Sequence, residues 1–179
     1  VVTVCGAGKT SLLAATYLRE QGLDARSLAG GMRAWSLAWN QAPVPLPRSP
    51  AQVIQVRRTG KGCLSYVIGR EGAAAVIDPS LAPEVYLALA EAQGWAITHV
   101  LETHVHADHW SRGRLLAEQS GAALHLPADA PVTYAHAALR DGDEVALGAS
   151  RLRVLHTPGH TPESACYLLD DQALFTGDT

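Results

Sequence analysis

The stretch THVHADH, residues 103–109, places three histidines and one aspartate in seven positions of a chain that has eight histidines in all. Imidazole and carboxylate groups are preferred ligands of zinc, iron and manganese. The largely apolar residues 97–102 predict a β-strand, so the motif lies where a strand ends. A single histidine is usually an ordinary polar residue, but four ligand groups within six positions favour a site for one or two metal ions.

Two later motifs repeat this arrangement. TPGHTPES, residues 157–164, follows a predicted strand at 152–155, and its Pro-Gly turn places His160 just beyond the strand end. FTGDT, residues 175–179, ends a predicted strand at 173–175 and carries Asp178 after a glycine turn. Three separate strand ends thus each carry a ligand group, and we expect these groups to reach one shared edge.

These three motifs, in this order and spacing, resemble the metallo-β-lactamase superfamily over about residues 53–179. The resemblance implies an α/β fold, an αββα sandwich with metals at one sheet edge, here partial and truncated at its C-terminus. Within the superfamily the chain is most similar to the persulfide dioxygenase branch, and next to glyoxalase II-type thioesterases. The dioxygenase branch implies one Fe(II) bound by His104, His160 and Asp178, a ligand set that leaves positions open for oxygen and substrate.

The remaining residues of the first motif have different roles in the two branches. In the dioxygenase interpretation His106, Asp108 and His109 surround the metal or form a vacant second site. In the hydrolase interpretation they complete a two-zinc centre that generates a hydroxide nucleophile, and Asp108 is also a candidate catalytic carboxylate. The glyoxalase II pattern usually has a histidine where this chain has Val105, which favours the oxygenase. Fe(II) is therefore the expected cofactor and Zn(II) the alternative; a further family histidine is expected beyond residue 179.

The N-terminal stretch VVTVCGAGKTS, residues 1–11, contains a second candidate site. A phosphate-binding loop would require a glycine where Thr3 stands, which argues against nucleotide binding. Cys5 instead follows a predicted strand and begins a loop that leads into a helix. Backbone N–H groups at that helix start, with Lys9 nearby, would stabilise a thiolate that can carry sulfur as a persulfide. The alternative is an inert, buried cysteine.

Together with LAGGMRAW, residues 28–35, this stretch resembles the closing third of an α/β rhodanese domain over about residues 1–39. The resemblance implies that Cys5 carries sulfur and that the loop of residues 6–10 cradles it. Many relatives have arginine after the cysteine; this chain has Gly6 and so lacks one cationic donor.

The predicted organisation has three parts: the C-terminal part of a rhodanese-like domain at 1–40, a proline-rich linker at 41–51, and an incomplete metallo-β-lactamase-like domain at 52–179. Helices are predicted at 10–21, 32–39, 83–93 and 111–120 among short strands. Both ends of the chain are expected to be cut, so the true N-terminus is not visible. The other histidines, Cys63, Cys166 and Trp110 are expected to be mainly structural, with core packing favoured over pocket lining for Trp110.

Composition excludes several classes of protein. The net charge of −3 argues against nucleic acid, and no apolar run approaches the length of a membrane span. Three scattered cysteines do not form a disulfide framework and favour a reducing compartment such as the cytoplasm.

Three functions follow from these patterns. The first is an Fe(II) dioxygenase that oxidises glutathione persulfide, or a similar persulfide, to sulfite and is fused to a rhodanese-like sulfurtransferase. The second is a zinc-dependent hydrolase of a glutathione thioester. The third is a non-catalytic sulfur-relay module that holds metal for stability, which the intact ligand set argues against. Homodimerisation is left open.

Overall fold

The structure, a computed structural model, describes residues 1–179 and divides into two compact units. The first unit consists of Val1–Asn40 and Arg57–Cys63, and the second of Gln41–Val56 and Leu64–Thr179. No helix in either unit combines the length and hydrophobicity that crossing a membrane requires.

The first unit is built on a short parallel strand pair. Strands β1 (Val2–Thr3) and β2 (Arg26–Ser27) are joined by helix α1 (Lys9–Glu20), and helix α2 (Gly31–Trp35) follows. The loop between β1 and α1 is held against the start of α2, because the Met32 N–H donates to the Cys5 carbonyl at 2.9 Å. A Cβ at Gly31 would collide with that same carbonyl, so this contact requires glycine.

The second unit contains two sheets and two helices. The larger sheet has seven strands in sequence order: β3 (Asn40–Val44), β4 (Gln52–Arg58), β5 (Cys63–Arg70), β6 (Ala73–Ile77), β7 (Ala96–Leu101), β8 (Ala123–Pro127) and β9 (Ala137–Leu139). Strands β6 to β9 are parallel, and helices α3 (Pro83–Ala92) and α4 (Gly113–Ser120) connect β6 to β7 and β7 to β8. The smaller sheet is an antiparallel meander of β10 (Glu144–Leu147), β11 (Ser150–His156), β12 (Ala165–Leu169) and β13 (Ala173–Phe175).

The larger sheet is apolar on both faces because it lies between two cores. Alternate residues of a strand point to opposite faces, so Leu101 enters the core against the smaller sheet and Val100 the core against the helices. Leu152 and Tyr167 complete the first core, and Leu116 belongs to the second. The resulting helix, sheet and sheet layers are three of the four layers of the αββα sandwich that the sequence predicts.

Two strands were not predicted from the sequence. Strand β3 lies almost entirely within the stretch interpreted as a linker, where the prolines obscure the alternation of apolar and polar residues. It forms the edge of the larger sheet. An edge strand tolerates Pro43 because one side of the strand needs no N–H donors. Strand β9, with the sequence Ala-Ala-Leu, is too short to give an alternating signal.

The parallel strands of the larger sheet place two segments of the candidate site at the same edge. Strand β7 runs directly into the motif at 103–109, and Asp78 directly follows the end of the neighbouring strand β6. The Asp78 N–H donates to the Leu101 carbonyl at 2.9 Å, which holds the two strand ends side by side. Because the carboxyl ends of parallel strands share one edge, both segments face the same crevice.

Candidate metal centre

His104 is held in one orientation by a chain of buried hydrogen bonds. The Asp78 carboxylate can only accept, so the Thr103 hydroxyl donates to Asp78 Oδ2 at 2.8 Å and accepts from His104 Nδ1 at 2.9 Å. The Thr103 N–H adds a bond of 2.7 Å to Asp78 Oδ1. His104 Nε2 then carries the lone pair, and this buried atom has no hydrogen-bond partner. A buried, unpartnered acceptor beside other donor groups fits a metal ligand.

Two further donor groups lie close to this nitrogen. One ligand atom each from His104, His160 and Asp178 lies within 4.8 Å of the others. His160 Nε2 is 3.6 Å from Asp178 Oδ2, and the rings of the two histidines are perpendicular with centroids 5.0 Å apart. His104 is buried, whereas the side chains of His160 and Asp178 are 45% and 57% exposed. The group, called here the three-donor cluster, therefore has one closed side and one open side.

Both later turns are anchored on Thr103. The turn that carries His160 is closed by a hydrogen bond from the Thr157 N–H to the Ser164 carbonyl at 2.8 Å. The Ala165 N–H that follows donates to the Thr103 carbonyl at 2.9 Å. In the turn before Asp178, Gly177 has a φ of +54°, and a Cβ there would collide with Thr103 Oγ1. Close contacts with the backbone and side chain of Thr103 thus bring three distant segments together.

His106 belongs to a different group. Its Nε2 lies 3.2 Å from Asp78 Oδ1 and 3.1 Å from Glu102 Oε2, and all three side chains are buried. Burial alone would lower the pKa of His106, but the hydrogen bonds and charges of Asp78 and Glu102 outweigh it and raise the pKa to about 10. Burial raises the pKa of Glu102, whose carboxylate also accepts from Ser111 Oγ. The ring of His106 lies 4.1 Å from that of His104, and its Nδ1 is the nitrogen not held by carboxylates.

Asp108 and His109 lie outside the three-donor cluster. His109 Nδ1 is 3.0 Å from Asp108 Oδ1, and the Asp108 side chain is 65% exposed. The hydrogen bond with His109 lowers the pKa of Asp108 against the opposing effect of partial burial. His109 Nε2 is buried without a partner. The donor atoms of Asp108, His109 and Cys63 also lie within 4.8 Å of one another, as do those of His106, Asp78 and Glu102, so the motif side chains fall into three separate donor groups.

A cavity of about 280 Å³ lies beside the motif. His104, Trp110, Arg114 and Tyr134 are among its lining residues. Trp110 is 82% exposed, so the expectation that it packs in the core is wrong. Cys166 is buried, as expected, whereas Cys63 is only partly so.

No role was predicted from the sequence for the side chains that hold the cluster in place, which are Asp78, Glu102, Thr103 and Glu163. Asp78 could have been found from the sequence, because it is a carboxylate at the end of a buried strand, as Asp178 is. Glu163 belongs to the TPGHTPES stretch, but nothing in the sequence indicates which backbone group its carboxylate contacts.

Cys5 lies in a separate polar setting in the first unit. Its Sγ accepts hydrogen bonds from Ser11 Oγ at 3.3 Å and from the Ser11 N–H at 3.4 Å. These bonds, the hydroxyl first, lower the pKa of the Cys5 thiol to about 6. Ser11 Oγ also lies 2.9 Å from Ser27 Oγ. No role was predicted for Ser11 from the sequence.

Fold and site define the class of protein. The sequence profile of the Metallo-beta-lactamase superfamily matches residues 58–179, which is more than half of the chain. The chain therefore belongs to the metallo-β-lactamase superfamily.

Curated proteins of known name are similar to part of the chain. The hydroxyacylglutathione hydrolase of Rhodospirillum rubrum is 43% identical over 118 residues, which cover 60% of this chain and 43% of that protein. The hydroxyacylglutathione hydrolase of Methylococcus capsulatus is 40% identical over 111 residues, with the same coverage of 60% and 43%. The chain thus spans less than half the length of these curated relatives.

Two solved structures are also similar. ETHE1 from Myxococcus xanthus superimposes with a TM-score of 0.61 at 36% identity, over 65% of this chain and 53% of that one. A metallo-beta-lactamase from Staphylococcus aureus gives a TM-score of 0.59 at 35% identity, over 63% of this chain and 39% of that one.

Proposed function

We propose that the chain belongs to an Fe(II)-dependent persulfide dioxygenase that oxidises glutathione persulfide, or a similar small persulfide, to sulfite. The observation that carries the proposal is the three-donor cluster of His104, His160 and Asp178, which stands apart from Asp108 and His109. Two imidazoles and one carboxylate with an open side are typical of non-haem iron oxygenases.

The bound metal would supply adjacent positions for the persulfide sulfur and O2. Oxidation of the outer sulfur consumes one O2 and one water and yields sulfite, the free thiol and two protons. His104 would direct the lone pair of Nε2 towards the metal, because Thr103, which itself donates to Asp78, holds Nδ1. The half-exposed His160 and Asp178 leave the open side for substrate entry.

The second candidate is a zinc-dependent hydrolase of a glutathione thioester. It is supported by the hydroxyacylglutathione hydrolases that share about 40% of aligned residues with this chain. The ring of His106, close to that of His104, could add a further nitrogen ligand through Nδ1. Carboxylates on Nε2 are the usual partners of a metal-bound histidine, so the Asp78 and Glu102 contacts are compatible with that role.

The two candidates differ in metal content and in substrate. The full-length protein is purified after iron or zinc supply, its metal content is measured, and its activity is assayed with glutathione persulfide and with a hydroxyacylglutathione. One iron per chain with O2 uptake supports the dioxygenase, and two zincs with thioester cleavage support the hydrolase. A His160→Ala protein is the control, because losing one donor should abolish metal binding and both activities. Absence of turnover with either substrate would reject both enzymes and favour the non-catalytic relay.

We also propose that Cys5 carries sulfur, as the likeness of residues 1–39 to rhodanese implies. The hydrogen bonds from Ser11 support a thiolate at Cys5 near neutral pH. This thiolate would attack the outer sulfur of a persulfide donor, form the Cys5 persulfide and release the donor as a thiolate. A Cys5→Ser protein should lose sulfur transfer but oxidise free persulfide at the normal rate, and an equal loss of both activities would reject separate sites.

A further inference from the structure

Glu163 is a buried carboxylate in the turn that carries His160. The residue is 4% exposed, although acidic side chains are rarely buried unless they are paired. Its partners are N–H and O–H groups: the Val105 N–H donates to Oε1 at 3.0 Å, and the Thr161 hydroxyl also contacts the carboxylate. Burial would raise the pKa of Glu163, but these hydrogen bonds outweigh it and keep the pKa below its usual value. The side chain is therefore an anion fixed by backbone and hydroxyl donors.

The contact joins two segments that carry ligand groups. Val105 is the residue between His104 and His106, and Glu163 follows His160 by three positions. The direction of the Val105 N–H depends on the same peptide unit that positions the His104 backbone. A carboxylate that holds this N–H therefore restricts the placement of His104 relative to His160.

We propose that Glu163 is a positioning residue of the metal centre. Its carboxylate fixes the Val105 amide so that His104 faces His160, and its negative charge adds to the attraction for a cation. The inference rests on the proposed metal site at His104, His160 and Asp178, but it holds for either enzyme. Residues that orient metal ligands typically change metal affinity by 10–100-fold when they are replaced.

Two conservative substitutions separate the hydrogen bond from the charge. Glu163→Asp keeps the charge but shortens the side chain, so the carboxylate no longer reaches the Val105 N–H. Glu163→Gln keeps a carbonyl oxygen at the same reach but removes the charge. We expect the Asp variant to bind metal at least about tenfold more weakly, and the Gln variant to lose less than this.

The experiment titrates the metal-free full-length protein with Co(II) and records both the dissociation constant and the visible absorption spectrum. We expect Glu163→Asp to show an altered spectrum and Glu163→Gln to keep the wild-type spectrum with weaker binding. Glu144→Ala, an exposed glutamate on β10, is the matched control and should behave as wild type. Circular dichroism verifies that every variant is folded.

The outcomes distinguish the inference from the proposed function. If Glu163→Asp binds Co(II) with wild-type affinity and spectrum, the positioning role is refuted while the metal centre stands. If Glu163→Gln binds as tightly as wild type, the charge contribution is refuted. If wild type and Glu144→Ala both fail to bind Co(II), the metal centre itself is wrong, and the role of Glu163 falls with it.

Discussion

At the scale of single residues, the candidate centre depends on which nitrogen of each histidine is free. The Thr103 hydroxyl, which donates to Asp78, accepts from Nδ1 of His104 and leaves Nε2 unpartnered, whereas two carboxylates lie against Nε2 of His106. Neighbours in one short motif therefore present opposite ring nitrogens. The spacing of the histidines in the sequence does not show which ring nitrogen is free, because the free nitrogen depends on where the adjacent strand places Asp78.

The role of Asp78 leads to a first prediction. In Asp78→Asn, the side-chain amide can donate, so the Thr103 hydroxyl no longer has a fixed direction and His104 loses its preferred tautomer. We expect metal affinity to fall by about 10–100-fold with the fold retained, as measured by competition with a chelator of known affinity. Asp171→Asn, at an exposed aspartate, is the control. Unchanged affinity in Asp78→Asn would show that the hydrogen-bond chain does not orient His104.

Ser11 supports a second prediction, at Cys5. Ser11→Ala removes the hydroxyl that contributes most to lowering the pKa of the Cys5 thiol from its ordinary value to about 6. The pKa should therefore rise, and the thiolate fraction at neutral pH should fall. The measurement is the pH dependence of iodoacetamide alkylation, with Cys5→Ser used to subtract the reaction of the other cysteines. Ser36→Ala is the control, and a midpoint in Ser11→Ala that stays near 6 would contradict the assignment.

At the scale of helices and strands, most elements could be predicted because their patterns are strong. The helix expected at 83–93 is observed at Pro83–Ala92, with proline in its first turn, and strand β13 lies at the predicted residues 173–175. Helix α4 begins at Gly113, two residues later than predicted. Helix α2 ends at Trp35, four residues before the predicted end at 39. The missed strands, β3 and β9, are short strands whose pairing partners, rather than their own residues, determine their conformation.

The sequence could predict that three strand ends bring their ligand groups to one shared edge. His104, His160 and Asp178 do lie together, although their role as metal ligands stays a prediction. The supporting contact of Glu163 with Val105 could not be predicted, because it depends on the packing of one loop against a segment 58 residues away.

The turn after β13 gives a third prediction. Gly177→Ala places a methyl group against Thr103 at a positive φ, so the turn must move away from β7 and carry Asp178 with it. We expect weaker metal binding and a free energy of unfolding lower by about 1–3 kcal/mol, measured by urea denaturation. Gly142→Ala is a matched control, because Gly142 also has a positive φ but has open space around it. If the two variants behave alike, crowding at Thr103 has no role.

At the scale of the whole molecule, the second unit depends on the contact between its two sheets. Two histidines lie in that contact. His99 on β7 and His125 on β8 are joined by a ring-to-ring hydrogen bond of 3.0 Å, and the His99 ring also bonds the Ala146 backbone on β10. Both positions were expected to be structural, and the buried His125 and the partly buried His99 agree with packing roles.

This histidine pair makes the stability of the protein depend on pH. Burial, followed by repulsion from His99, lowers the pKa of His125 to about 4, whereas an unfolded chain has a value of about 6.5. The unfolded state therefore binds more protons between these values, so stability rises with pH across this window. The contribution is fully present above about pH 6.5, is lost as the pH falls towards 4, and amounts to about 3 kcal/mol at most.

His125→Gln tests this dependence, because glutamine keeps an N–H donor for His99 but does not titrate. We expect the free energy of unfolding of wild type to fall between pH 6.5 and 4 more steeply than that of the variant, in urea titrations of metal-free protein. The difference between the two proteins isolates His125 from His106, whose raised pKa acts above pH 6.5 with the opposite slope. His136→Gln, outside the sheet contact, should keep the wild-type slope. Parallel curves for wild type and His125→Gln would mean that the pair takes up its proton without loosening the two sheets.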